Sequence, residues 1–193
     1  IAISEPRGNM IVNSGGGTTD VAVISLGGIV VQGSVRVGGN RLDEAIADYL
    51  RREYNLTVGD YTAEMVKLEI GSALPWEEDS RMEVKGRDSI SGLPKTEEVT
   101  SQEITQALTR PLSEMAATIK SVLEKTPPEL AGDVIDRGMV LSGGTSLLRN
   151  LNRFLTQATG VSVHVADAPL LCVIKGCAEV ISDLNVFKKH LTT

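Results

Sequence analysis

Aromatic side chains are scarce: Phe, Tyr and Trp make up 3% of the 193 residues, with one Trp. The core must therefore be built from Val, Ile, Leu, Ala and Met, and base-stacking platforms for single-stranded nucleic acid are disfavoured. Cysteine is equally rare. Cys172 and Cys177 stand five apart with no His pair nearby, which matches neither zinc-ligand spacing nor a redox C-x-x-C. Two cysteines on one expected helix build no disulfide framework, so both read as small buried hydrophobes in a reducing cytosol. Basic excess is missing too: 19 Lys and Arg face 25 Asp and Glu, for a net charge of −6. With no Lys/Arg-rich run, no nucleic-acid partner is expected. No apolar stretch approaches the roughly 18 uncharged residues of a spanning helix. The N-terminus lacks the regions of a signal peptide, so the chain reads as soluble. It begins at Ile1, and its earliest Met, Met10, falls inside an expected strand, which suggests a piece of a longer polypeptide.

What the chain does have is patterning. Apolar, β-branched runs on either side of the cluster Ser14–Thr19 read as strand, tight loop and strand. Gly27 and Gly28 punctuate a third run, Ile29–Val37, completing an antiparallel meander. After Gly38 and Gly39, Leu42, Ala45, Ile46, Tyr49 and Leu50 recur at helical spacing with charges opposite. A second helix is expected from near Asp60 to a stop at Gly71, then a small exposed hairpin between Pro75 and Thr100. Thr100 and Glu103 fit a capping box that opens a long helix, which Pro111 should kink. Pro127 and Pro128 close it and start a short helix. A strand at Gly138–Leu141, a turn at Ser142–Thr145, a helix from Ser146 to Thr159, a strand at Val161–Val165 and a helix from Pro169 to about Leu184 follow. The fold class is α/β, a mixed sheet flanked by helices.

Three groups of residues could carry chemistry. In the loop Ser14–Thr19, three consecutive glycines let backbone N–H groups converge, a nest suited to phosphate oxygens, with Thr18 and Thr19 adding hydroxyls. Asp20 or a residue before the loop could hold a cation's water shell. A glycine-rich hairpin without any ligand fits the same residues. The turn Ser142–Thr145 would place free N–H groups at a helix start, favourable for an anion or a polar ligand edge. It has neither the G-x-G-x-x-G nor the G-x-x-x-x-G-K-[ST] spacing, and a plain tight turn also explains it. Glu64 and Lys67, three apart on one helix face, read by themselves as a solvated ion pair. His164, in an apolar strand with no ligand partner, reads as structural rather than metal-binding.

The ordered segments GGGTTDVAVISLGGIV, TAEMVKLEIGSA, EKTPPEL and RGMVLSGGTSLLRNL, followed by the Gly176 region, resemble bacterial actin homologues of the MreB group. That group belongs to the actin/Hsp70/sugar-kinase ATPase superfamily. The resemblance covers nearly the whole chain and maps onto the second half of such a protein. It implies a ribonuclease-H-like actin ATPase core at 1–38 and 112–193, with a small α/β subdomain inserted at 39–111. It further implies that Gly15, Gly16, Gly17 and Thr18 form the second phosphate loop. Glu64 and Lys67 would line the adenosine site, and Gly143, Gly144, Thr145 and Ser146 would form the adenosine loop. The implied cofactors are ATP and Mg2+. The implied partners are further protomers of a filament and proteins of cell shape and cell-wall synthesis, in a cytoplasmic, membrane-associated assembly touching the membrane through the missing half.

Three departures stand out. Asn13 replaces the family's Asp before the second phosphate loop, and an amide supplies no negative charge to organise Mg-bound waters. Met65 stands where Arg is common, and Thr145 replaces a third glycine. The first phosphate loop and the water activator belong to the other half of the family's fold. Phosphoryl transfer needs all these parts at once, so no catalytic residue is assigned and the chain alone is not expected to hydrolyse ATP efficiently. Two other classes remain open: an assembly module of the same fold that has lost nucleotide handling, and another superfamily ATPase, a chaperone or sugar kinase.

Overall fold

A computed structural model describes residues 5–76 and 80–182. The meander forms as the glycine punctuation predicts, with β1 (Asn9–Ser14), β2 (Thr19–Ser25) and β3 (Gly28–Val35) antiparallel. β7 (Met139–Ser142) and β8 (Val163–Val165) extend it in parallel, giving a mixed five-stranded sheet of order β3-β2-β1-β7-β8. Register sorts the two faces. Val12 lies opposite Val21, Val21 opposite Gly33, and Met10 opposite Val23 and Met139, so these side chains share one face. The long helix α3 (Ser101–Lys125) packs there so closely that a Cβ on Gly33 would come within 2.8 Å of Val122. The opposite face of β1–β3 carries Ile11, Asn13, Asp20, Ala22 and Ile24, which border a second cavity of about 600 Å³.

Between β3 and α3 in the chain order comes a second group of elements. Helix α1 (Gly39–Tyr54) buries Leu42, Ile46, Tyr49 and Leu50 and stops at Asn55 with φ 52°, a left-handed turn that Asn tolerates. It is followed by β4 (Leu56–Thr57), a strand too short to leave a periodic signal, and α2 (Asp60–Ile70). The hairpin of β5 (Arg81–Asp88) and β6 (Pro94–Thr100) pairs with β4 in a separate three-stranded sheet. Thr100 and Glu103 make the expected reciprocal capping box, and α3 continues through Pro111 as one helix.

Short helix α4 (Pro128–Arg137) leads into β7. The expected helix from Ser146 is divided: Gly144–Leu147 form a 3-10 turn, and α5 (Leu151–Thr159) begins only after Asn150, at φ 60°, redirects the chain. A tertiary bond explains the division. Ala73 N donates to the Arg149 carbonyl at 2.8 Å, so this segment bonds to the residues after α2 instead of to its own next turn. The last helix also starts as a 3-10 turn, Pro169–Leu171, before α6 (Cys172–Ser182); its expected end near Leu184 lies outside the described residues. No described residue of α6 is buried, so the cysteines are not core hydrophobes: Cys172 is half-buried and Cys177 exposed. His164 is exposed on β8 rather than held in a core. No helix among the described residues is long and apolar enough to cross a membrane.

Candidate functional site

A cavity of about 510 Å³ opens where the loop after β1, the start of α1, helix α2 and the 3-10 turn after β7 converge. The glycines make the convergence possible. Gly15 N donates to Thr18 O at 2.9 Å and closes the β1–β2 loop on itself. The first amides of α1 then clamp it: Gly39 N donates to Gly15 O at 3.0 Å and Asn40 N to Gly16 O at 2.9 Å. These are helix-start donors with no intrahelical partner, and the loop carbonyls satisfy them. A Cβ on Gly38 would sit 2.5 Å from Gly15 O, so only glycine fits. From the other side, Thr145 Oγ1 donates to Gly15 O at 2.7 Å. Beneath the loop, Ser14 Oγ bonds Thr19 Oγ1 at 2.7 Å, and Thr19 Oγ1 donates to Val37 O at 2.7 Å.

Lys67 is the largely buried charge on the wall, beside Glu64 and Arg149. Its Nζ lies 2.8 Å from Asp43 Oδ1 and 3.4 Å from Gly39 O, and the two side chains are only 12% and 14% exposed. The isolated i,i+3 pair expected with Glu64 therefore gives way to a cross-helix pair between α2 and α1. Burial pushes the Asp43 carboxyl above its ordinary value, and the hydrogen bond and charge of Lys67 only partly offset this. Glu64 remains exposed at the rim.

The structure brings Gly15, Gly16, Glu64, Lys67, Gly144 and Thr145 together on the cavity wall. Gly17 and Thr18 lie next in the exposed loop without lining it; Thr18 Oγ1 donates to Asp20 Oδ2 at 2.9 Å. Gly143 and Ser146 sit behind the wall, where Ser146 Oγ donates to Gly143 O at 2.6 Å. Thr145 turns its hydroxyl into the loop, so the substitution adds a bond rather than only bulk. Asn13 Oδ1 accepts from Ser142 Oγ at 3.0 Å, which ties the ends of β1 and β7 together. Sequence patterning missed Gly39, Asn40, Gly71 and Arg149, which also line the cavity. Gly38–Gly39 and Gly71 carry a signal as element stops, but nothing local announces that the same glycines form a wall.

Among the described residues no cluster of three or more His, Cys, Asp or Glu could hold a metal ion. The lining is two glycine loops with Asn40, Thr145, Glu64, Lys67 and Arg149, in a cavity within the usual ligand-pocket range of about 300–1,000 Å³. That lining fits a phosphorylated organic ligand and leaves any cation to be carried by its phosphates.

The sheet order, the α/β segment inserted after the meander, and two glycine loops meeting at the ends of β1 and β7 define an actin-like protein. The chain belongs to the MreB/Mbl family, whose model, described as MreB/Mbl protein, matches residues 1–189. It is 51% identical over 176 residues to the cell shape-determining protein MreB of Escherichia coli K12, covering 91% of this chain and 51% of that protein. It is 41% identical over 188 residues to the cell shape-determining protein Mbl of Bacillus subtilis, covering 97% and 56%. The crystal structure of MreB5 of Spiroplasma citri bound to AMPPNP superposes with a TM-score of 0.92 at 39% identity, over 98% of this chain and 57% of that one. A MamK double helical filament shares the fold, with a TM-score of 0.75 at 21% identity over 90% and 54% of the two chains. The chain spans about half the length of the curated relatives it matches.

Proposed function

We propose that this chain forms one wall of an ATP site in an MreB-like filament protein. The observation that carries the reading is the cavity itself: segments distant in sequence place two glycine loops, Lys67 and Glu64 around one concave space. In this reading Gly15, Gly16, Gly17 and Thr18 hold the β- and γ-phosphates, and Gly143, Gly144, Thr145 and Ser146 with Glu64 and Lys67 hold the nucleoside. Mg2+ enters with the phosphates. Asn13, whose Oδ1 accepts from Ser142 Oγ, supplies no negative charge where a carboxylate would organise the ion's waters. MreB5 of Spiroplasma citri, whose structures are described with AMPPNP and with ADP, supports the assignment.

Residues 1–38 and 112–193 act as the nucleotide-binding core and 39–111 as the inserted subdomain, with α3 crossing the boundary and serving both. The parent protein polymerises with its own kind into cytoplasmic, membrane-associated filaments that direct cell shape and cell-wall synthesis. Family membership supports this part of the proposal. Catalysis awaits the remainder of the site, since no residue here is assigned to activate water.

The test is ATP affinity of the full-length protein carrying Gly16→Val. A Cβ there meets Asn40 Oδ1 at 3.2 Å, so the branched side chain pushes the Asn40 side chain aside and occupies the space beside the loop. Affinity should fall at least tenfold, and unchanged affinity sinks the phosphate-loop assignment. A second reading, an assembly module without nucleotide handling, draws on Asn13 and on the Thr145 hydroxyl locked onto the loop. Intact filaments that bind no Mg-ATP would favour it.

A further inference from the structure

The cavity has two chemically different ends. Around Gly15, Gly16, Gly39 and Lys67 it is lined by backbone and the Lys67 ammonium, while α2 and the turn after β7 contribute Leu68 and Leu147, which are 63% and 59% exposed, beside Arg149. Apolar side chains left open inside a concave site match a ligand with an apolar face. Arg149 does not behave as a phosphate ligand. Its guanidinium lies flat over the ring of Trp76, the chain's single Trp, with Cζ 3.5 Å from the ring centroid. Its Nη1 is buried and has no hydrogen-bond partner. An arginine that reads phosphate presents its N–H fork to the anion. Here part of the fork is turned into the protein, and what supports the side chain is the indole plane. The backbone holds the same residue in place independently, through Ala73 N at 2.8 Å.

We infer that Arg149, backed by Trp76, is the stacking wall that selects the base of the nucleoside phosphate, with Leu68 and Leu147 as its apolar companions. The inference rests on the nucleotide reading above and adds to it the residues that recognise the flat ring. Trp76 is the positioning residue and Arg149 the contact.

The experiment measures binding of ATP and of inorganic tripolyphosphate to the full-length protein and to its Trp76→Ala, Arg149→Met and Arg149→Lys variants. Loss of one stacking partner should weaken ATP about tenfold in both Arg149 variants, because lysine keeps the charge but not the plane, and several-fold in Trp76→Ala. Tripolyphosphate binding should be unchanged in all three, which also serves as the folding control. ATP should alter Trp76 fluorescence in the wild type and tripolyphosphate should not. Equal losses for ATP and tripolyphosphate, full ATP affinity in Arg149→Lys, or no effect of either Arg149 variant would overturn the inference while leaving the nucleotide site standing. A wild-type full-length protein that binds no ATP would remove the nucleotide reading itself, and this inference with it.

Discussion

A Cβ on Gly143 would lie 2.2 Å from the carbonyl oxygen of Ser14, at a φ of +88° that side-chain-bearing residues rarely adopt. Gly143→Ala should therefore destabilise the protein by about 2 kcal/mol or more, the cost of left-handed backbone plus a clash against main chain. Gly17→Ala, with nothing within 4 Å of the new methyl group, should change stability by less than about 0.5 kcal/mol. Chemical denaturation of the two variants separates a glycine needed for close approach from one that is merely exposed. Thr145→Val removes the hydroxyl that holds Gly15 O at 2.7 Å, and should cost about 1 kcal/mol by the same measurement. At this scale the sequence showed the glycine clusters and the lysine, because those residue types stand out locally. It did not show Arg149 or Asn40, ordinary residues until the fold brings them to the cavity, nor that Lys67 pairs with Asp43 across two helices.

At the scale of elements, the N-terminus of α3 joins several bonds on one carboxylate. Glu103 accepts from Thr100 N at 2.8 Å and from Thr100 Oγ1 at 2.9 Å, and the hydroxyls of Tyr54 and Tyr49 reach it from α1. Burial pushes the Glu103 carboxyl up, but these hydrogen bonds together outweigh it and hold the group below its ordinary value. A depressed carboxyl contributes stability above its unfolded value, and that stability is lost as pH falls through the folded one. The urea midpoint should accordingly decline as the pH drops below about 4.5, and Glu103→Gln should flatten that decline. Tyr54 shows the opposite sign. Its hydrogen bond to Glu103, then burial, raises the phenol well above its ordinary value, so its contribution is present below about pH 10 and lost as the pH climbs beyond it. Tyr54→Phe should remove that alkaline loss and cost about 1–2 kcal/mol at neutral pH. The capping box was legible because it is a local four-residue pattern. The interruption between Leu147 and Leu151 was not: the apolar spacing there suits a helix, and the bond that breaks it comes from Ala73.

On the scale of the whole molecule, the described residues cover the sheet on one face only over β1–β3. Ile11, Ala22 and Ile24 border the cavity on the other face, and Leu26 and Ile29 are 69% and 61% exposed at its edge. Contiguous apolar surface of this kind drives association. The chain in isolation should self-associate, and a monodisperse monomer in light scattering would count against this. The β-branched runs around the glycine cluster made the strands readable in the sequence, and the alternating burial along β1 and β2 shows which face is covered. That the other face also carries apolar side chains, with no covering layer among the described residues, emerged only from the sheet register. The central claim, that the glycine loops and Lys67 form one wall of a nucleotide site, is tested most directly by titrating Mg-ATP into the 15N-labelled full-length protein and following backbone amides. The account predicts shifts at Gly15, Gly16, Gly39, Lys67, Gly144 and Thr145, with Ile11, Ala22 and Ile24 unmoved. Shifts confined to the open sheet face, or none at millimolar nucleotide, would contradict it.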